Sequence, residues 1–230
     1  MHGRFTEKTN SASGHRARLR KRLFSGGETA LLDHELVEYL IALAIPRRDT
    51  KGQAKELIAK FGGIGPLLSA SAETLRREGL SESVIGALKI AEATALRLLE
   101  TRAEGAPVLS SWDALGDYLH ASMAHSRTEQ VRVLFLNAKN MLIANEAMWD
   151  GSVDEASVHV REIIARAIAL GATAVIIVHN HPSGDPTPSQ QDIRITKDLV
   201  EAARHMKIAV HDHVIVGARG RASMRAMGLI

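Results

Sequence analysis

The chain has no cysteine. That excludes disulfides, thiolate zinc sites and a cysteine nucleophile, so any bound metal must sit on histidine and carboxylate. Aromatic residues make up only 3% of the sequence. The core is therefore expected to be aliphatic, and platforms on which unpaired bases would stack are scarce. No run approaches the ~18 apolar residues of a membrane span, and the N-terminus lacks the apolar stretch of a secretory signal. A cytoplasmic setting without a membrane partner is the expectation. What remains is ordinary for a globular protein: 230 residues, 45% of them hydrophobic and 24% charged. That is enough chain for one large or two small domains.

The net charge is only +3, but it is uneven. The first segment carries Arg4, Lys8, Arg16, Arg18, Arg20, Lys21 and Arg22 against a single acid, Glu7. A basic arm of this kind can hold DNA phosphates; the plainer reading is a solvated, partly disordered terminus. Beyond it, periodicity predicts a helix over 28–45, with Leu31, Leu32, Leu36, Leu40 and Leu43 on one face and Asp33, Glu35 and Glu38 on the other. Pro46 ends it. Thr50 is the expected N-cap of a helix over 51–60, which Gly62 and Gly63 stop. A short helix or turn over 64–70 follows, then a helix capped by Ser71, then a long one capped by Ser81 and running from Glu82 to about Thr101. Short helices joined by glycine turns suggest a helix-hairpin-helix-like module over 1–103, which would hold a phosphate on backbone N–H groups. The glycine pattern is imperfect, because Gly63-Ile64-Gly65 is followed by Pro66 and Glu82 would face the phosphate in the last hairpin. A helical docking domain is the other reading. Glu104 to about Leu109 reads as a linker.

Residues 110–230 read as an α/β (α+β) domain. A helix opens at Ser111 and Trp112. Strands over 131–136 and 141–144, separated by Asn137-Ala138-Lys139-Asn140, predict a hairpin. A helix over 159–170 stops at Gly171, an apolar strand covers 173–178, a helix covers 190–204, and a strand pair lies near 208–216.

The informative stretch lies between that apolar strand and the next helix: His179-Asn180-His181-Pro182-Ser183-Gly184-Asp185-Pro186-Thr187-Pro188-Ser189-Gln190-Gln191-Asp192. If the strand continues through the histidines, both leave the same face roughly 6.6 Å apart at Cα, so two imidazoles can converge on one ion. Ser189 and Asp192 form a capping box, and the helix N-terminus favours an ionised Asp192. Pro182, Pro186 and Pro188 stiffen the loop between them. Two histidines and one carboxylate, with a fourth position left to water, make the catalytic rather than the structural zinc pattern. Water on Zn²⁺ becomes acidic enough to attack an amide at neutral pH, a base must take its proton, and Ser189 is placed to donate to the oxyanion. Each piece alone has a plainer reading, as a surface histidine pair or an ordinary cap. His34, His120, His125, His159 and His205 show no spacing that argues for chemistry.

His-x-His, seven residues, Ser, two residues, Asp is similar to the JAMM (MPN+) metalloprotease motif. The longer run His-Asn-His-Pro-Ser-Gly-Asp-Pro-Thr-Pro-Ser resembles the bacterial RadC family, known by the label DNA repair protein RadC-like. Gly14-His15-Arg16, Asp33-His34-Glu35-Leu36, Ile45-Pro46-Arg47, Val133 to Leu136, Arg161-Glu162 and Asp212-His213 add to the resemblance over nearly the whole chain. Val160 departs from it, standing where the family usually has proline. The resemblance implies a C-terminal α-β-α sandwich of the JAMM/MPN+, cytidine-deaminase-like kind. It implies zinc on His179, His181 and Asp192, with Ser189 supporting the tetrahedral intermediate. It also implies a glutamate base just before a strand: Glu129 is the choice and Glu146 the runner-up. Asp212-His213, a pair the family often carries, reads either as support behind a zinc ligand or as an ordinary hydrogen-bonded structural pair. The expected function is a zinc-dependent metallopeptidase or isopeptidase acting on a peptide or protein substrate. The alternative is a DNA-binding repair or recombination accessory whose metal domain is a nuclease or scaffold.

Overall fold

Alternation along the strands explains the layering of the C-terminal half. The computed structural model describes residues 6–46, 48–103, 108, 112–151 and 160–230. The chain divides into two compact units, Met1–Thr94 and Ala95–Ile230.

In the first unit the helices are α1 (Thr6–Gly26), α2 (Asp33–Ala44), α3 (Lys51–Phe61), α4 (Ile64–Ser69), α5 (Ala72–Arg77) and α6 (Glu82–Ala103), the last continuing into the second unit. Val37, Ile41, Leu67, Leu75 and Leu88 are fully buried among them. The core is aliphatic, as the scarcity of aromatics requires.

Three local expectations change. The helix expected over 28–45 is broken: a 3-10 turn covers Gly27–Ala30, Leu31 and Leu32 are extended, and α2 starts afresh. Glu35 stabilises that start by accepting from the Leu32 N–H at 3.0 Å. The buried face of α2 is also rotated from the leucine stripe. Val37, Glu38 and Ile41 face inward, whereas Leu32 and Leu43 are more than 60% exposed. The buried Glu38 carboxylate lies 3.0 Å from His15 Nε2, and the Glu38 main-chain carbonyl accepts from the Thr50 hydroxyl. Thr50 is thus a buried cross-link and makes no side-chain cap. Asp49 accepts from Lys51 N–H instead. Gly62, in the left-handed conformation, and Ser71, accepting from Thr74 N–H, end α3 and start α5 as expected.

The basic N-terminal segment is helical from Thr6 onward, and two of its arginines serve internal contacts. Arg16 donates to the carbonyls of Pro46 and Arg48, and Arg22 pairs with Glu35 at 2.7 Å. Glu82 is paired with Arg76 at 2.6 Å.

The second unit holds α7 (Trp112–Met123), β1 (Glu129–Leu136), β2 (Leu142–Gly151), α8 (Val160–Leu170), β3 (Ala174–Asn180), α9 (Gln190–His205), β4 (Ala209–Gly217) and β5 (Gly220–Ser223). They form one sheet in the order β2-β1-β3-β4-β5. Only β3 and β4 run parallel, joined through α9; the other neighbours are antiparallel. Leu134, Ile176, Val178 and Val214 pack on α7 through Leu115, Leu119 and Met123. The alternate residues Val133, Phe135, Val175 and Ile177 pack on α8 and α9 through Ile163, Ala167, Leu199 and Ala203. This is the expected mixed α/β sandwich, and β3, covered on both sides, is buried along its whole length.

β2 is longer than its apolar run: pairing with β1 carries it through Asn145 and Glu146 to Gly151. Glu146 is therefore inside a strand, not after one. The closing pair is β4 with the short β5, not two strands within 208–216. The first residue of the expected α8, His159, and most of the expected linker lie outside the described residues. Of that linker Val108 is described, and it is buried against α7 and the sheet.

Candidate metal centre

β3 brings two imidazoles to one place because the strand continues to Asn180 and its pairing continues one residue further. His181 N–H donates to the Val216 carbonyl on β4 at 2.8 Å. Chain reversal follows at once: Gly184 N–H returns to the His181 carbonyl, with Pro182 inside the turn and Gly184 at φ 79°. Asp185 Oδ1 accepts from both N–H and hydroxyl of Thr187, which stiffens the loop between the flanking prolines. The loop delivers Ser189 to the start of α9. There the capping box forms in full, with Asp192 N–H donating to Ser189 Oγ (3.1 Å) and Ser189 N–H to Asp192 Oδ2 (2.7 Å).

His179, His181 and Asp192 each present a ligand atom, all within 4.8 Å of one another. The two Nε2 atoms are 2.9 Å apart. Asp192 Oδ1 lies 3.4 Å from His179 Nε2 and Oδ2 lies 3.5 Å from His181 Nε2. Nitrogen ligands at tetrahedral angles around a zinc ion are about 3.3 Å apart. Glu129, Ser189, Gln191, Ile195 and His213 line the same cavity, of about 350 Å³.

Hydrogen bonds fix which imidazole nitrogen is free. His181 Nδ1 lies 2.8 Å from the Asp185 carbonyl, an obligate acceptor, so Nδ1 carries hydrogen and Nε2 does not need to. For His179 the chain is longer. Thr196 Oγ1 donates to the Asp192 main-chain carbonyl, so toward His213 Nδ1, 2.6 Å away, it accepts. His213 then offers Nε2 as acceptor to His179 Nδ1, 2.7 Å away. Both rings thus commit Nδ1 elsewhere and turn Nε2 toward the Asp192 carboxylate, free to take a metal ion or, on His181, a proton. Such a convergence of electron-rich atoms is unfavourable unless a cation sits among them, so the donor set fits a divalent metal.

The electrostatics agree. Burial pushes His179 down to about 4, against the pull of Asp192. Burial, then the neighbouring His179, holds His213 well below the ordinary histidine value, so it stays neutral. His181 is raised, chiefly by its hydrogen bond with Asp192: in the absence of metal a proton answers the same charge. Burial would raise the Asp192 carboxyl, but the hydrogen bond with His181, the charge of His179 and the Ser189 hydrogen bonds outweigh it and leave it well below the carboxylate range. Glu129 is raised, first by burial.

Glu129 stands at the first position of β1, on the cavity wall. Glu146 is elsewhere, in a two-pronged pair with Arg166 of α8, and it is not among the residues of the cavity. His213 backs a candidate ligand, but Asp212 does not: it accepts from the Ser223 hydroxyl and from Arg225 N–H, bracing β5 and the turn after it. Thr196 and the Asp185 carbonyl escaped the sequence reading. Thr196 carried a signal, since it stands one helical turn after Asp192 and shares its face; a main-chain carbonyl carries none.

The sequence model of the family described as RadC-like JAB domain matches residues 109–229. The chain is 48% identical over 213 residues to a UPF0758 protein of Rhodobacter capsulatus, covering 92% of this chain and 100% of that relative. It is 47% identical over 217 residues to UPF0758 protein SPO0054 of Ruegeria pomeroyi, covering 94% and 97%. With the helical first half, the five-stranded sandwich and the His-His-Asp cluster in place, the chain belongs to the RadC-like JAB domain family.

Proposed function

We propose that this protein is a zinc-dependent hydrolase of the JAMM type that cleaves an amide bond of a peptide or protein. The observation that carries the reading is the pair of Nε2 atoms, each on a ring whose Nδ1 is bonded elsewhere, facing one carboxylate in a cavity that also holds the Glu129 carboxyl and the Ser189 hydroxyl.

His179, His181 and Asp192 would hold the ion. Bound there, zinc would polarise the substrate carbonyl and acidify a water molecule beside it. Glu129 accepts the proton that water gives up as its oxygen bonds to the carbonyl carbon, and returns it to the leaving nitrogen as the C–N bond breaks. Partial burial raises this carboxyl, the direction that makes a carboxylate a stronger base. Ser189 uses its oxygen to cap Asp192 N–H, so its own proton remains to donate to the oxyanion. His213 and Thr196 keep His179 in the tautomer that presents Nε2.

The test is metal analysis combined with turnover on a peptide and isopeptide substrate set. His179→Ala and Asp192→Ala should each abolish bound zinc. Glu129→Gln should retain it and lose turnover by at least a hundredfold. Full activity in Glu129→Gln would remove the base, and stoichiometric zinc in Asp192→Ala would remove the centre.

A further inference from the structure

β1 and β3 separate at the metal centre. Their ladder runs from Leu136↔Ala174 to Val131↔His179 and stops. Two more steps of the same register would set Gln130 against Asn180 and Glu129 against His181, with Cα atoms about 5 Å apart and no room for water or substrate. Instead β3 follows β4, through Asn180↔Val216 and the His181 N–H bond beyond it. β1 follows β2, to Glu129↔Gly151. The cavity lies where the two strands diverge.

One side chain crosses that gap. Asn180, 0% exposed, accepts from Gln130 N–H at Oδ1 (2.9 Å) and donates from Nδ2 to the Thr128 carbonyl (3.0 Å). The chemistry leaves one orientation of the amide, because an N–H needs the oxygen and a carbonyl needs the NH₂. The two groups it grips belong to the residues on either side of Glu129. Main-chain pairing with β3 is thus replaced, for this step only, by a longer side-chain bridge.

We infer that Asn180 is a positioning residue, which holds the peptide groups flanking Glu129 and thereby sets where the Glu129 carboxylate stands relative to His179, His181 and Asp192. The inference rests on the reading of Glu129 as the base of this site. Strand ends fray unless tied, and a reacting group displaced by about 1 Å can lose on the order of a hundredfold in rate. Asn180 sits between the two histidines in sequence, so one short segment carries the metal ligands and the tie to the base.

The experiment uses the full chain and Co²⁺ as the probe. Asn180→Ala is compared with wild type, with and without Glu129→Gln, in a double-mutant cycle of Co²⁺ affinity. A carboxylate held beside the ion contributes to its binding, so Glu129→Gln alone should weaken Co²⁺ several-fold. In the Asn180→Ala background the same change should matter less than twofold. Amide exchange at Gln130 should accelerate at least tenfold in Asn180→Ala while that at His181 stays unchanged. Asn180→Thr, which favours strands but is too short to reach both groups, carries the same test should the alanine variant not fold. An equal effect of Glu129→Gln in both backgrounds, or unchanged exchange at Gln130, would overturn the inference. Normal turnover in Glu129→Gln would instead overturn the base and leave the bridge standing, so the two failures are distinguishable.

Discussion

His213 shows how much of a metal site lies behind its ligands. Its ring is buried and neutral, and its two nitrogens relay donation in one direction, from His179 Nδ1–H to Thr196 Oγ1. Replacing it by alanine removes the acceptor that keeps hydrogen on His179 Nδ1, so a fraction of His179 would place hydrogen on Nε2, where it cannot ligate. His213→Ala should bind zinc about 10- to 100-fold more weakly at unchanged stoichiometry, in competition with a chromophoric chelator. Thr196→Val should shift affinity in the same direction by less, because His213 keeps its ring in place. The clustering of the three candidate ligands was legible from spacing, since a strand period of two and a helix start impose their directions. Thr196 shares a helix face with Asp192, but that signal is weak, because a threonine one turn inside a helix usually only returns its hydroxyl to the preceding turn.

Among the elements, the loop from Pro182 to Pro188 matters most, and what holds it is a glycine outside it. A Cβ on Gly217, at the end of β4, would lie 2.5 Å from the Gly184 carbonyl oxygen and 3.2 Å from Pro186 N. Main chain cannot give way as a side chain does, so Gly217→Ala must push the loop off the strand. The loop carries the Asp185 carbonyl that holds His181 Nδ1. The variant should lose about 1–3 kcal/mol of stability in denaturant unfolding and bind zinc more weakly, with His181 freed to rotate. Ser189→Ala acts on the next element. Loss of the cap on α9 should cost about 1 kcal/mol, and turnover should fall while zinc remains bound, because Ser189 N–H still holds Asp192 Oδ2. Retained turnover would leave the serine as a cap only. Element types of the second unit followed from pattern; the helix over Thr6–Gly26, which carries no apolar stripe, and the extent of β2 did not. Asn145 and Glu146 look like the end of a strand, and only pairing with β1 satisfies their main chain and carries the strand to Gly151.

At the scale of the molecule, the chain has two units, each with its own aliphatic core. All candidate metal ligands and their supports belong to the second. Zinc should therefore raise the unfolding temperature of that unit alone. At a free ion concentration 100 times the dissociation constant the added stability is about 2.7 kcal/mol. Calorimetry of the zinc-loaded and chelated protein should show one transition that moves and one that does not. Movement of both by the same amount would mean that the units unfold together.

The sequence by itself determined which ligands a metal could find. Without cysteine only histidine and carboxylate remain as ligands, and strand and helix periods aim His179, His181 and Asp192 at one point. It also determined the layered α/β fold of the second unit, through alternating apolar residues on strands and periodic ones on helices. The tertiary structure decided everything that depends on which strands are neighbours. It put Glu129 on the cavity wall and Glu146 against Arg166, and it turned Asp212 away from the ligands that His213 supports. It also spanned the split between β1 and β3 with Asn180. Local periods set the direction of a side chain along its own element; they contain no information about what the sheet order brings opposite it.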